Sequence, residues 1–353
     1  MAEIEIRLLR EEDIDPLNDL YKRSYGISRS REKFVWEFVK CPVRPAIYIV
    51  AVDAVSLKIV GTQCAIPLYV RMPSGEVVLT AKSEDTLVDV SYRGLSIFER
   101  MYQQLFEECR LAGIQYVWGF TYAIKPFKKI LFDIPFRSNF GLISFDPVKS
   151  HKILNALKRK RSGIEKFKIF TLVSFSFLFQ KIKSISKSKL QKKRISIEPQ
   201  IETNSLFHGS NFCYLNQDEL FINWRITKNP YNDHLHYSLL SADGRSEGNV
   251  ICSVHSNHTA YLMQIVFHDS VKQSDKLSFL RYVVRDLSKK VALLRFWGFE
   301  NTQSGKEEIV LLKKVGFTFT DRGISFVWKH LGKSDKLDLI NLKLSRLSAQ
   351  SSE

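Results

Sequence analysis

The stretch from Asp85 to Phe98 carries the residue pattern that points most directly to ligand chemistry. It reads as an apolar strand, a turn at Arg93-Gly94 and the start of a helix that runs to about Leu111. The first N–H groups of a helix lack internal partners and carry partial positive charge, and a glycine lets the backbone approach a ligand closely. The pattern therefore predicts a phosphate or pyrophosphate site, although an ordinary strand–turn–helix corner has the same appearance.

A second feature is an internal repeat of long period. An apolar strand ending in Trp118-Gly-Phe120 precedes a helical stretch with a Lys-Lys pair, and Trp297-Gly-Phe299 precedes the same arrangement. Upstream, Phe34-Val-Trp-Glu-Phe38 has a counterpart in Phe221-Ile-Asn-Trp-Arg225. Self-similarity at such a period indicates a duplicated domain rather than a short-repeat solenoid.

The N-terminal half resembles a GNAT-fold N-acetyltransferase. The resemblance rests on the opening strand and helix at Ile6–Asp13, the strand Ile59–Gly61, the strand and loop Val88–Gly94, and the strand Trp118–Phe120. The whole chain resembles the two-domain members of that superfamily, in which a second, degenerate GNAT domain follows the first. An α/β (α+β) fold is implied, with two tandem GNAT-like domains that are each a mixed, largely antiparallel twisted sheet flanked by helices.

The same resemblance implies four divisions of the chain. They are an acyl-CoA-binding domain at 1–147, a basic, Phe-rich connecting segment at 148–200, a degenerate GNAT-like domain at 201–332 and a polar C-terminal tail at 333–353.

The family's acyl-CoA loop runs Arg/Gln-x-x-Gly-x-Gly/Ala, and in this chain Ser96 and Phe98 stand at its last two conserved positions. The resemblance implies that acetyl-CoA, or another acyl-CoA, binds as co-substrate between two strands that splay apart. The matching stretch of the second half, 266–277, has no glycine, so one acyl-CoA per chain is expected. The residues expected to contact acyl-CoA are Leu87, Val88, Arg93, Gly94, Leu95, Ser96, Ile97 and Phe98.

Acyl transfer to an amine needs a base for the amine, a donor for the carbonyl oxygen and a proton for the leaving thiolate. By their position in the resemblance, Glu84 and Asp85 are the base candidates, against the alternative of exposed acids at a strand end. Phe127 stands where the family has a proton-donating tyrosine, and nearby Tyr122 is the candidate replacement. The candidates for the acceptor side, with core packing as the alternative, are Trp36, Trp224 and Arg225.

The positive charge of the chain is concentrated in one segment. The 353 residues have a formal net charge of +16, yet residues 1–147 carry 19 basic and 19 acidic side chains. Residues 149–194 carry 15 basic side chains and one acidic side chain, Glu165. The charge is therefore not a property of a whole domain, and this distribution disfavours a nucleic-acid-binding domain.

Within that segment, the Phe-rich stretch 167–182 lies between clusters of Lys and Arg. It is too short to cross a bilayer, and Phe170, Val173, Phe177 and Ile182 are expected near one helical face. Basic flanks around an aromatic helix suit peripheral contact with an anionic membrane through residues 158–194. Packing between domains and nucleic-acid binding are the alternatives.

Cysteine and histidine usage bears on location and on metals. Five scattered cysteines, an N-terminus without signal-peptide character and the lack of a long apolar run predict a cytoplasmic protein, with the inner face of the membrane as its peripheral location. The spacing Cys252-x-x-His255-x-x-His258 offers three ligands without a fourth, so no metal is expected. His234 and His236 share one strand face and are expected at the surface or on the acceptor side.

Three functions are compatible with these residues. The first is an acyl-CoA-dependent N-acyltransferase, acting on a small-molecule amine, with an amino sugar of surface-polysaccharide synthesis as the first choice. The second is a non-catalytic membrane or complex adaptor on a degenerate GNAT duplication, suggested by Ser96, Phe98 and Phe127. The third is a transferase that uses aminoacyl-tRNA, which the basic segment favours and the Arg93-Gly94 loop disfavours. The sequence leaves the oligomeric state open.

Overall fold

The protein was analysed as a computed structural model, which describes residues 3–156, 162–184, 194–197, 206–207, 211–320, 323–332 and 341–348. Two compact units divide the chain. The first comprises Met1–Phe136 and Ser325–Leu339, and the second comprises Arg137–Ile324 and Ile340–Glu353. Each unit is built around one mixed, mainly antiparallel sheet with helices, which confirms the expected fold class.

The first unit has the strand order β1-β2-β3-β4-β5-β14, in which only β4 and β5 are parallel neighbours. Its strands are β1 Ile4–Leu8, β2 Ile47–Asp53, β3 Ile59–Arg71, β4 Val77–Val88, β5 Tyr116–Thr121 and β14 Ser325–His330. Its helices are α1 Ile14–Tyr25, α2 Arg31–Phe34, which continues as a π-helical turn at Val35–Val39, α3 Ile97–Leu111 and α4 Ile124–Lys129.

The second unit has the strand order β13-β6-β12-β11-β10-β9-β7, in which β11 and β12 are the parallel pair. The strands of this sheet are β6 Asn139–Ser144, β7 Arg194–Ser196, β9 Asp233–Leu240, β10 Ser246–His255, β11 Thr259–Phe267, β12 Leu293–Gly298 and β13 Thr318–Thr320. Two short strands of the unit, β8 Cys213–Leu215 and β15 Leu342–Lys343, pair with each other in parallel outside this order. Its helices are α5 Pro147–Ala156, α6 Gly163–Ser184, α7 Glu219–Ile222, which continues as a π-helical turn at Asn223–Thr227, α8 Gln273–Leu287 and α9 Gln303–Lys314.

The main core of each unit lies where its long amphipathic helix packs on one face of its sheet. In the first unit, Met101 and Leu105 of α3 are fully buried with Ile49 of the sheet. In the second unit, Phe279 of α8 packs in the same way with Phe296. Apolar residues recur on α3 at helical spacing, so one stripe of the helix can be buried while the opposite stripe faces water.

The two halves of the chain exchange one strand each. β6 follows the first half of the chain but pairs with β12 and β13 in the second unit. β14 follows the second half but pairs with β5 in the first unit. The expected boundary after residue 147 therefore differs from the division at Phe136, because the sheet that accepts a strand determines its unit.

Two further expectations differ from the structure. Residues 341–348 of the expected polar tail are largely buried, with Leu342 and Leu347 inaccessible to water, while 333–340 and 349–353 lie outside the described residues. The Phe-rich stretch forms α6 as expected, but its buried face is not the expected one. Val173 is buried, whereas Phe170 and Ile182 are exposed.

Candidate functional site

The parallel strands β4 and β5 pair over only three residues. Thr80 to Lys82 lies opposite Tyr116 to Trp118, and among the described residues the two strands have no pairing beyond that point. Gly119 lies close to β4 there, since a Cβ atom on it would be 3.0 Å from the carbonyl oxygen of Ser83. Both strands continue past this contact, so their facing edges form a wedge with backbone groups that can bind an extended ligand as an added strand.

A β-bulge in β4 accounts for the wedge. The register with β3 shifts between Thr62 and Cys64, and one extra residue of β4 is accommodated there. Asp85 has a φ of 51°, a left-handed conformation that Asp tolerates better than most residues. Its carbonyl oxygen accepts a hydrogen bond of 2.7 Å from the Thr62 hydroxyl. A bulge bends and twists its strand, so β4 changes direction just after its pairing with β5 ends.

The wedge leads to an exposed helix start. Gly94 has a φ of 89°, and Ser96, the residue before α3, has a φ of 55°. The Ser96 side chain makes no capping hydrogen bond to α3, so it does not occupy the first N–H groups of the helix. The Phe98 ring is turned onto Tyr102 and Phe127, at centroid distances of 4.8 and 5.6 Å. The bulky Phe98 is thus accommodated by packing, and the helix start keeps its capacity to bind an anion.

The two predicted base candidates lie in different surroundings. Glu84 has a quarter of its side chain exposed and forms an ion pair with buried Lys82. Asp85 has 6% of its side chain exposed and binds Arg29, with 2.8 Å between Nη1 and Oδ2. The same oxygen accepts a hydrogen bond from the Tyr48 hydroxyl. Asp85 is thus committed to a buried network at the bulge, whereas Glu84 has access to solvent.

A buried charged cluster surrounds Asp85, and no pattern in the sequence indicated it. The Arg29 guanidinium lies over the Tyr21 ring at 4.4 Å, in addition to its ion pair. Burial raises the pKa of the Glu37 carboxyl, against the opposing charge of Arg29, and burial together with Asp85 raises the pKa of Tyr48. These groups hold the bulge in place and make its conformation part of the core.

A hydroxyl network lies at the last contact of β4 and β5. The Tyr102 hydroxyl is 2.7 Å from Ser83 Oγ, and the Gln63 amide donates to the same oxygen at 3.0 Å. Burial raises the pKa of Tyr102. The position of Tyr102 on the buried stripe of α3 is the signal from which the sequence could have identified it.

Tyr122, Phe127 and Trp36 differ in their exposure to solvent. Tyr122, directly after β5, is 68% exposed. Phe127, at the position of the family's tyrosine, is buried among aromatic rings that include Phe132 at 5.1 Å. Trp36 is partly buried in the π-helical turn after α2.

The same helix and turn recur in the second unit. Ser30 caps α2 and Asp218 caps α7, each accepting a hydrogen bond from the backbone N–H three residues on. Aligning the two caps superposes Trp36 on Trp224, so Ile222 rather than Phe221 corresponds to Phe34. Comparing Phe34 with Phe221 was therefore wrong by one residue. Trp224 and Arg225 are both buried, with 7% and 5% exposed.

The second unit has its own wedge, which the C-terminal segment fills. β11 and β12 pair only from Thr259–Leu293 to Leu262–Phe296. The N–H of Leu347 donates to the carbonyl oxygen of Met263, at the bulge of β11, at 2.9 Å. Three further groups of the same segment extend these contacts. They are the Leu342 carbonyl, which accepts from Asn301 at 2.7 Å, Lys343, which forms a buried ion pair with Glu308, and Arg346, which lies over the Tyr261 ring at 3.6 Å.

Two histidines lie on β9, of which His236 is buried and His234 is partly buried. His236 is 6% exposed, so the expectation of a surface position was wrong, and its Nδ1 has no hydrogen-bond partner among the described residues. Burial lowers the pKa of His236 to about 4, and burial with the charge of Arg225 lowers the pKa of His234 to about 3. No group of three or more His, Cys, Asp or Glu suited to a metal occurs among the described residues.

The low pKa values of these two imidazoles predict that the folded state is less stable at acidic pH. Below the ordinary histidine pKa the unfolded chain takes up protons that the folded state refuses, so the free energy of unfolding falls as the pH falls. For each group the slope is about 1.4 kcal/mol per pH unit between the ordinary pKa and the folded one. Denaturant titrations from pH 7 to pH 5 should show this fall in the free energy of unfolding. The variant His236→Phe should reduce the slope against pH by about half. An unchanged slope in His236→Phe would refute the assignment, and His268→Gln, on an exposed turn, is the control.

Comparisons with known proteins agree with this geometry. The family described as the acetyltransferase (GNAT) domain matches residues 5–130. The first unit contains a GNAT acetyltransferase domain. This unit accordingly carries an acyl-CoA acyltransferase domain, and the whole chain has a tandem GNAT fold. Comparison with curated proteins gave no match.

Solved structures share the fold of the whole chain. A probable N-acyltransferase from Enterococcus faecalis V583 superposes with a TM-score of 0.63 at 9% identity, covering 94% of this chain and 73% of that one. A tandem GNAT protein from the clavulanic acid biosynthesis pathway has a TM-score of 0.58 at 13% identity, covering 94% and 100%. The N-myristoyltransferase of Saccharomyces cerevisiae with bound myristoyl-CoA has a TM-score of 0.62 at 13% identity, covering 93% and 83%.

Proposed function

We propose that this tandem GNAT protein is an N-acetyltransferase that transfers acetyl from acetyl-CoA to the amine of a small molecule. The first-choice acceptor is an amino sugar of surface-polysaccharide synthesis. The observation that carries the proposal is the wedge between β4 and β5, which opens at Lys82–Trp118 and leads to the uncapped start of α3. The proposed location is the cytoplasm, with peripheral contact to the inner face of the membrane through residues 158–194.

In this proposal the donor binds along the first unit alone. The backbone of Leu87 and Val88 pairs with the pantetheine arm as a neighbouring strand would. The pyrophosphate lies at the loop from Arg93 to Phe98, where free N–H groups and the partial positive charge of the helix start favour an anion. The filled wedge of the second unit supports a stoichiometry of one acyl-CoA per chain.

The chemistry is divided among few groups. Glu84 accepts the proton of the attacking amine, directly or through water, because its carboxylate has solvent access that Asp85 lacks. Asp85 holds the bulge through Arg29 and thereby fixes the backbone next to the reacting carbonyl. As the amine nitrogen bonds to the carbonyl carbon, the carbon–sulfur bond breaks and the thiolate takes a proton, for which Tyr122 is the proposed donor. Trp36 is proposed to line the acceptor side. The assignment of Trp224 and Arg225, which are buried in the second unit, to the acceptor side stays a prediction.

Acyl-CoA binding is expected to depend on Gly94. At a free concentration of about 100 times the dissociation constant, acetyl-CoA should raise the free energy of unfolding by about 2.7 kcal/mol, measurable as a shift of the thermal midpoint. Valine at position 94 cannot adopt the φ of 89° without strain, so the loop should reorient and the shift should disappear.

Gly113→Val is the matched control. Gly113 also has a positive φ, of 73°, and open space around its Cβ position, but it lies at the opposite end of α3. Both variants should be destabilised alike, and only Gly113→Val should keep the acetyl-CoA shift. A shift retained in Gly94→Val would exclude this loop. If acetyl-CoA gave no shift but octanoyl- or myristoyl-CoA did, the proposed donor would carry a longer acyl group in place of acetyl. A positive result leads to an acceptor screen that measures free CoA, beginning with amino sugars.

A further inference from the structure

Helix α6 has its polar and apolar faces reversed relative to a typical surface helix: polar side chains face the protein and apolar side chains face solvent. Its inward face is formed by Val173, Ser176 and Gln180, of which two are polar. Ser176 is tied to β6, where it accepts from the N–H of Ser144 at 3.2 Å and donates to the carbonyl oxygen of Leu142 at 3.3 Å. Small and polar side chains thus hold α6 against the second unit.

The outward face of α6 carries an apolar stripe that is interrupted by exposed Thr171. Five large side chains on it are 57% to 70% exposed, and they recur at steps of three, four or eight residues, which places them on one stripe. The stripe, called here the outer face of α6, consists of Ile164, Phe167, Phe175, Leu178 and Ile182. A stripe of this length spans about 27 Å, far more apolar surface than scattered surface residues require.

Lysines lie beside and within the outer face. At about 100° per residue, exposed Lys168 falls at the edge of the stripe, and exposed Lys181 and partly exposed Lys183 lie about 100° to either side of it. Exposed Lys166 lies on the opposite side of the helix. The helix contains one acid, Glu165, and in the sequence the surrounding residues 149–194 carry 15 basic side chains. No helix among the described residues is long and apolar enough to cross a bilayer.

We infer that the outer face of α6 inserts into the interface of an anionic lipid membrane, with the helix lying in the membrane plane. The apolar side chains would be buried at the boundary between headgroups and acyl chains, and the lysines would contact the anionic headgroups. An anionic membrane therefore accounts for both the apolar stripe and the positive charge. A second copy of the chain on the same stripe would place like charges against each other, and this repulsion opposes pairing. Membrane contact is part of the proposed function, and the outer face of α6 gives it a defined surface and a lipid class.

Vesicle cosedimentation of the full chain tests the inference. The protein should bind vesicles rich in phosphatidylglycerol and bind pure phosphatidylcholine at least tenfold more weakly. The variant Phe175→Ser/Leu178→Ser/Ile182→Ser should lose at least tenfold in affinity for the anionic vesicles. Each lysine changed to glutamine on α6 should cost about fivefold, the equivalent of about 1 kcal/mol, and added salt should act in the same direction.

The control variant is Val55→Ser/Leu111→Ser, which removes apolar side chains that are 85% and 84% exposed in the first unit. It should bind vesicles as the parent does. All replaced side chains are exposed, so the thermal midpoint should stay constant and exclude misfolding. Equal binding of the parent to both vesicle types, or undiminished binding by the triple variant, would overturn the inference. Two other results would overturn it as well. In the first, the parent is a stable dimer that does not bind vesicles, and the triple variant is a monomer. In the second, the parent binds an RNA oligonucleotide through its lysines and does not bind vesicles. None of these outcomes depends on acyl transfer, so a failure here is separable from a failure of acyl-CoA binding.

Discussion

Replacing Arg29 by methionine is expected to lower the free energy of unfolding by about 3–5 kcal/mol, because it leaves the Asp85 carboxylate buried without its cation. The two side chains are 4% and 6% exposed and lie 56 residues apart in sequence. Denaturant unfolding would measure the loss. Since Asp85 forms the bulge that opens the wedge, acyl-CoA binding should weaken as well.

Arg31→Met is the matched control. Arg31 makes ion pairs with Glu11 and Asp15, which are 87% and 72% exposed, so its loss should cost less than about 1 kcal/mol. The double variant Arg29→Met/Asp85→Asn should recover part of the stability. Asparagine also tolerates a positive φ, and it has no charge that would remain buried without a partner. Similar small losses in Arg29→Met and Arg31→Met would show that the buried pair does not hold the bulge.

Removing a leucine from the C-terminal segment is expected to have an effect of the same size. Leu342 and Leu347 are 0% and 2% exposed, and each change to alanine should cost about 2–5 kcal/mol of unfolding free energy. Leu220→Ala, at a position in the second unit that is 65% exposed, should be nearly neutral. Chemical denaturation of the three variants gives the comparison.

The acyl-CoA stoichiometry of the same variants tests the filled wedge. Calorimetric titration should give one site per chain in the parent and in Leu220→Ala. If Leu347→Ala were as stable as the parent, the segment would not be part of the core of the second unit. If the parent bound two acyl-CoA molecules per chain, the segment could not be filling the second wedge as described.

Features with a strong local signal were predictable from the sequence. The repeated Trp-Gly-Phe motifs predicted the duplication, and in each unit the tryptophan lies within one residue of the point where the parallel pairing stops. Arg93-Gly94 predicted a turn before a helix, and the structure has α3 beginning at Ile97 with Gly94 at a positive φ before it. These features are local, so neighbouring residues alone encode them.

Features that depend on distant partners were not predictable. Asp85 pairs with Arg29, 56 residues earlier in the sequence, and only the folded structure assigns that partner. The face of α6 was mispredicted because the rule that apolar residues point inward fails on a helix whose inner face is polar. The alternation of Leu342-Lys-Leu344 is a strand signal that could have identified the buried C-terminal segment.

The strand exchange has a consequence for synthesis on the ribosome. β5 is complete at Thr121, but its partner β14 begins at Ser325, about 200 residues later. At translation rates of about 5–20 residues per second, the first unit waits about 10–40 seconds for its last strand. During that time the outer edge of β5 is unpaired and open to misassembly with other chains. A gene cut between the two copies would yield two fragments that each lack a strand of their own sheet, so the copies can no longer fold, or evolve, as separate proteins.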